Sequence, residues 1–188
     1  MKKLNKIFLT AAVLLMGLSL IACNDSVEII PVTLKDVNGS YKGRLVTQQG
    51  PQYRNQVVSF TAQDSVMTFK EFPIEEIVSS VISDPVKAQE AVKAIGKVEY
   101  KINYTPTLNA SQNVVELKLK PQALIFQIPV DGVNKNTIVT VAAKQNGLFV
   151  GQDWSLRFGL TVEKIAVDGT AVDPFEIIQY SFPYSLKY

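Results

Sequence analysis

No histidine occurs anywhere in this 188-residue chain, and it has a single cysteine, Cys23. The first absence removes every Ser-His-Asp or Cys-His pair and the imidazole ligands of most zinc sites. The second removes any disulfide within the chain. There is no Asp-x-Asp-x-Asp-Gly run to mark a calcium loop, and the sequence implies no metal and no cofactor. Nor is there a cluster of Lys and Arg dense enough to neutralise phosphates, so nucleic acid is not an expected partner. Carboxylate, Ser-Lys, tyrosine and oxygen-ligand metal chemistry stay open.

A long apolar run is also missing, and its nearest approach is informative. Met1 to Lys6 carries three cations and no acid, and the chain is then apolar from Ile7 to Ala22 apart from Thr10, Gly17 and Ser19. About sixteen residues fall short of the ~20 that span a bilayer as a helix, so the stretch reads as an export signal. It ends in Leu20-Ile21-Ala22-Cys23: an aliphatic residue, a tolerant position, a small residue and a nucleophilic thiol. Removal of residues 1–22 takes three of the 19 cations, leaving 16 against 17 acids, a net charge of −1. The apparent basicity belongs to the signal. The remaining 166 residues suit one domain.

Asn24 to Val32 is polar and then extended, which makes 23–32 a tether and 33–188 a single domain. A short helical turn is expected from Thr33 through Val37, closed by Asn38-Gly39. Period-two alternation then predicts strands at 41–48, 56–61 and 66–70. Ile74, Ile77, Val78, Val81 and Ile82 follow helical spacing. A second helix opens on Asp84-Pro85, carries Ala88, Ala91, Val92 and Ile95, and stops at Gly96. Alternation returns at Val98–Tyr104, and further strands are predicted at 115–120, 124–130, 137–144, 148–152, 154–167 and 175–187. Asp131-Gly132, Asn146-Gly147 and Asp168-Gly169 supply the turns. The fold class is therefore mainly β, an antiparallel meander closed as a barrel or stacked as a two-sheet sandwich, with a helical pair inserted at about 74–95.

Two apolar rows are expected to face the core. One is Ile178, Tyr180, Phe182, Tyr184, Leu186 and Tyr188, interrupted on its opposite face by Pro183, which calls for an edge strand or a bulge. The other is Trp154, Leu156, Phe158, Leu160 and Val162.

Leu20-Ile21-Ala22-Cys23 resembles the bacterial lipobox. The resemblance implies cleavage between Ala22 and Cys23 and acylation of Cys23, palmitate included. Each buried CH₂ contributes about 0.8 kcal/mol, so several acyl chains make a durable membrane anchor. "TLKDVNGSYKGRLV", residues 33–46, resembles the opening of lipocalin-like (calycin) proteins, with Gly39-Ser40-Tyr41 at the Gly-x-Trp position. Lipobox, tether and one small β domain together resemble the small uncharacterised lipoproteins of gut Bacteroidetes, which are often lipocalin-like. That comparison implies an outer-membrane lipoprotein facing the periplasm or the cell surface. Asp25-Ser26-Val27 and Asp64-Ser65-Val66 match the pattern at which those bacteria O-glycosylate exported proteins, and Asp25 and Glu28 resemble their acidic surface-export signal.

Function is expected to be that of a lipid-anchored, non-enzymatic binding or accessory module for a small apolar or glycan ligand or an envelope partner. One alternative is a glycan-active enzyme using two carboxylates, drawn from Glu75, Glu76, Asp153, Glu163, Asp168 and Asp173. The other is an interaction or inhibitor protein offering an exposed edge strand that ends at Tyr188. The sequence names no catalytic residue.

Overall fold

The computed structural model describes residues 29–188. Ala22, Cys23, Asp25, Ser26 and Glu28 lie outside the described residues. The chain opens with a 3-10 turn at Leu34–Val37 and continues through strands β1 (Gly39–Gln49), β2 (Gln52–Gln63) and β3 (Val66–Phe69). Helices α1 (Glu75–Val81) and α2 (Pro85–Ile95) follow, then β4 (Tyr100–Leu108), β5 (Val114–Pro121), β6 (Leu124–Val130) and β7 (Val133–Ala142). Strands β8 (Gly147–Val150), β9 (Ser155–Val167), β10 (Thr170–Ala171) and β11 (Ile178–Lys187) complete it.

Antiparallel pairing runs β1-β2-β3-β4-β5-β8-β9-β11 and returns to β1, which closes an eight-stranded barrel rather than a sandwich. The β6–β7 hairpin pairs onto the outer half of β9 and leaves the ring. Closure removes strand edges, so the alternating strands hide one face in a common core.

That core is aromatic. Phe158 and Phe182 are direct cross-strand partners on β9 and β11, stacked at 4.2 Å between ring centroids. Phe60 packs against Tyr41, Phe69, Phe158 and Phe182, and Phe72 bridges Tyr100 and Tyr180. The expected helical turn closes the end of the barrel where β1 begins. Asp36 accepts hydrogen bonds from the Thr33 amide (2.7 Å) and hydroxyl (2.9 Å), and the buried Tyr41 hydroxyl donates to the Val37 carbonyl at 2.5 Å. Lys187, next to the C-terminus, donates to the Asp36 carbonyl at 2.8 Å. Val32, in the expected tether, is also buried, and its amide donates to the Gln112 carbonyl.

The helical pair sits at the opposite end, between β3 and β4. Asp84 caps α2 by accepting from the amides of Val86 and Lys87, with Pro85 in the first turn and Gly96 at φ 72° after the end. Ala88 and Ala91 face inward.

Two expectations about apolar rows are corrected. β11 pairs on both sides, so Pro183 marks a bulge and not an edge: Phe182 pairs with Phe158, yet Ser185 pairs with Leu156, one residue out of step. A single extra residue reverses every later side chain. Ile178, Tyr180 and Phe182 are buried, whereas Tyr184, Leu186 and Tyr188 point outward and Ser185 turns in. The bulge also brings the backbone against Gly43, where an added Cβ would lie 2.5 Å from the Ser185 Cα. Trp154 leaves the second row for a different reason. It ends the β8–β9 turn at φ 52° and lies half-exposed, while Leu156, Phe158, Leu160 and Val162 are buried as expected.

The shift of phase separates Phe182 from Tyr184 energetically. Phe182→Ala is expected to lower the urea-unfolding free energy by about 3–5 kcal/mol, as for large core truncations. Tyr184→Ala is expected to lower it by less than about 1 kcal/mol. Equal losses would place both rings in the core.

Candidate functional site

The barrel axis, where a lipocalin-like fold would hold an apolar ligand, is occupied by the packed rings of Tyr41, Phe60, Phe69, Phe158 and Phe182. The polar chemistry lies outside the core, at the helical end. β2 pairs with β1 along its whole length but meets β3 only through Thr61, Ala62 and Gln63. Above that short junction the two strands part, because β3 is four residues long and the chain leaves it for the helices. The open edge of β2 and the overhanging β1–β2 hairpin therefore face α1 and α2 across a seam.

Two grooves occupy the seam. The first, about 630 Å³, runs along Gln56 to Thr61 and is bounded by Lys70, Glu71 and Lys97. The second, about 490 Å³, lies between the hairpin and the helical pair and is lined by Thr47, Gln49, Tyr53, Arg54, Glu75 and Glu76 among others. In this second groove Arg54 Nη1 stands 3.3 Å from Glu76 Oε1 and 3.6 Å from Glu75 Oε2, the latter beyond hydrogen-bond reach. Two adjacent carboxylates thus share one guanidinium, and one negative charge of the three groups is left over.

The unusual feature is what these groups fail to bond. Glu75 Oε2, Glu76 Oε2 and Thr47 Oγ1 are buried atoms without a hydrogen-bond partner. Thr47 is 1 % exposed and lines the same groove as the two carboxylates. Buried acceptors left unsatisfied cost about 1–3 kcal/mol each, so native structures rarely keep them without a use. Burial pushes the Glu76 carboxyl up from its ordinary range, and the Arg54 charge offsets this only in part. Beneath it the fully buried Tyr180 phenol, donating to the Pro73 carbonyl at 3.3 Å, is held well above its usual value by burial and then by the charges of Glu76 and Glu75.

Of the six carboxylates named from sequence, Glu163 and Asp173 are exposed, and the other four separate into two groups. Glu75 and Glu76 converge, but as neighbours on one wall, bound to the same guanidinium, and not as a pair flanking a cleft. Asp153 is held below its ordinary range by hydrogen bonds from Ser155 and the charge of Arg157, which outweigh a desolvation effect of opposite sign. Asp168 bonds the Asn136 amide and pairs with Lys135 at 2.9 Å. These two acids serve turns. Ser65 is the second residue of the two-residue β2–β3 turn, at φ 65° and half-buried, and its carbonyl accepts from the Tyr104 amide. Sequence reasoning missed Arg54, Thr47 and Tyr53, because nothing in an alternating strand reveals that its neighbour stops short.

A family model described as "Domain of unknown function (DUF4840)" matches residues 36–167. The chain belongs to that family. Comparison with curated proteins and with solved structures gives no match. The matched segment runs from the 3-10 turn to the end of β9, so it holds the helical pair and both walls of the DUF4840 groove but not β11, the strand that closes the ring. The closed eight-stranded barrel with its opening turn fits a lipocalin-like fold.

The raised carboxyl sets a pH dependence. A folded-state value above the unfolded one means that ionised Glu76 opposes folding at neutral pH, and the penalty is relieved as pH falls through the raised value. Glu76→Gln is therefore expected to raise the melting temperature at pH 7 by a few degrees. The gain should shrink as pH falls from that raised value to the ordinary carboxylate range, as the folded parent takes up its own proton. Differential scanning calorimetry across pH checks the sign; a constant or growing gain at low pH refutes it.

Proposed function

We propose that this protein is a lipid-anchored envelope module that binds a polar, glycan-type ligand in the groove between the β1–β2 hairpin and the helical pair. The observation that carries the reading is the set of three unpartnered buried acceptors, Glu75 Oε2, Glu76 Oε2 and Thr47 Oγ1, on residues that line one groove. Such atoms call for donors, and sugar hydroxyls supply several at once. Tyr53, an exposed aromatic in the same wall, offers a flat face for the C–H side of a pyranose, while Gln49, Gln52 and Gln89 can donate and accept. A concave site with a few convergent polar groups is the usual form of such a pocket.

Binding is favoured over hydrolysis by the placement of the acids. A glycosidase holds two carboxyl groups on opposite sides of the scissile bond, about 5–9.5 Å apart. Here both sit on one wall against Arg54, where they can orient a sugar but not work on it from two faces. The anchoring part of the reading rests on the resemblance of Leu20–Cys23 to a lipobox, which supports an outer-membrane position facing the periplasm or the cell surface.

The chain carrying Cys23→Ser, released from the membrane, is expected to retain glycans on an array of bacterial and host polysaccharides and to return them uncleaved. By titration calorimetry, Tyr53→Ala and Glu76→Gln should each weaken the best binder by about tenfold, or ~1.4 kcal/mol. Binding that survives both substitutions removes the groove from the proposal, and cleaved products restore the enzyme reading. Intact mass of the cellular protein tests the anchor separately, with acyl chains expected on Cys23.

A further inference from the structure

The first groove shares only Glu75 and Val92 with the second and takes no part in the ligand site proposed above. It runs beside an open strand edge. No free edge ends at Tyr188, because β11 pairs on both sides; the open edge belongs to β2. Gln49 and Gln52 flank the two-residue turn Gly50-Pro51, and Gln63 and Val66 flank Asp64-Ser65. Residues that flank such a turn exchange both backbone bonds, and bonding then alternates along the ladder. The two turns give the same phase. Even-numbered residues of β2 bond β1, and odd-numbered residues turn N–H and C=O to the other edge, where Thr61 and Gln63 meet β3. Tyr53, Asn55, Val57 and Ser59 meet nothing there, since no hydrogen bond among the described residues reaches their backbone from that side.

Sheet edges are commonly blunted by Pro or Lys, and residues 53–60 contain neither. Their one charge, Arg54, is engaged by Glu76. The groove along this edge is lined by the buried Phe60, Phe72, Ile74 and Val98 and the half-buried Val58 and Val92. At its rim Lys97 is paired with Glu71, whereas Lys70 is exposed and has no carboxylate within salt-bridge distance among the described residues. An open edge repeats donor and acceptor every two residues, roughly 7 Å, a period that a peptide backbone reproduces and a sugar chain does not. A second copy fits poorly. Residues 72–75 and Val92 stand across from the edge, so another barrel would drive its own helical pair against this one.

We infer that the open edge of β2 receives an extended strand of another polypeptide, antiparallel to β2, with apolar side chains on the groove lining and Thr or acidic side chains outside, near Lys70. Strand addition of this kind takes its affinity from backbone bonds and its selectivity from alternate side chains. Antiparallel is the more stable sense, and every ladder in this sheet has it. In that sense the outward residues of the added strand are the ones that bond Val57 and Ser59, because paired residues share a face. The inference does not depend on the ligand of the second groove.

The probe is an acetylated, amidated decapeptide in which Val and Ile alternate with Thr and Glu, titrated into the Cys23→Ser chain. It is expected to bind one to one and to slow hydrogen exchange of the Val57 and Ser59 amides severalfold. N-methylation of its Thr and Glu residues should abolish binding, whereas N-methylation of its Val and Ile residues, which alters the opposite edge, should leave it. Val57→Pro removes a donor from the open edge without costing a bond to β1. Binding should be lost in this variant while circular dichroism and melting temperature stay near parent values. Lys70→Glu should weaken binding severalfold.

Absence of binding at millimolar peptide overturns the inference, as does equal binding of the two methylated forms. Binding that survives Val57→Pro overturns it as well; if that variant does not fold, the methylated pair decides on the parent chain. Protection of Val57 and Ser59 that rises with protein concentration in the absence of peptide also overturns it, assigning the edge to a second copy. So does protection by an oligosaccharide where the peptide gives none. Glycan binding in the second groove is read separately, and neither result decides the other.

Discussion

The barrel exists because β11 reaches both β1 and β9, and the contact that fixes its register is the Phe158–Phe182 pair. The two residues are opposite one another in the ladder, their rings are nearly parallel at 11°, and both touch Phe60 on the far side of the core. Three separate strands are thereby set by one group of rings. A one-residue slip of β11 would withdraw Phe182 from this group and break ladders on both of its edges. Most of what is specific to the molecule follows from satisfying that pair and then departing from its register three residues later.

The alternation of strands, the helical pair and the opening turn could be read from residue spacing because each is a local pattern. Thr33 and Asp36 bond across one turn, Asp84-Pro85 opens α2, and nearly every predicted strand has an observed counterpart within a few residues. What could not be read depends on partners distant in the chain. Pro183 announces a break but not its kind, and only the pairing of Ser185 with Leu156 shows that the face reverses. Trp154 fits the spacing of β9 and is nonetheless left half-exposed at the barrel end against Phe149, where it ends the turn in a left-handed conformation. The site was legible in half. Glu75 and Glu76 stand out as acids opening a helix, but Arg54 and Thr47 join them only because β2 outruns β3.

The groove is made from the same economy of strands. A longer β3 would seal β2 along its edge, bury Arg54 against backbone and leave the two glutamates at the surface as ordinary first-turn acids. With β3 short, the guanidinium crosses the gap and draws both carboxylates down, where they lose water without gaining a full set of partners. Unsatisfied groups and an ionised carboxylate stripped of water are destabilising, and such groups cluster at places of function. The aromatic core beneath supplies the stability from which that loss is drawn.

The three-rung junction of β2 with β3 has a consequence for motion as well. Only the β8–β9 interface around the ring is as short, so this is one of the two seams where the cylinder can part with the fewest bonds broken. The helical pair bridges it as a strap, fastened to the hairpin by Arg54 and by the 2.9 Å bond from Gln49 to Ser80. A molecule lodged under the strap would act as a clasp across the split, slowing solvent exchange of the β2 amides far beyond its own footprint. Any such molecule would be coupled to the integrity of the cylinder through one short strand.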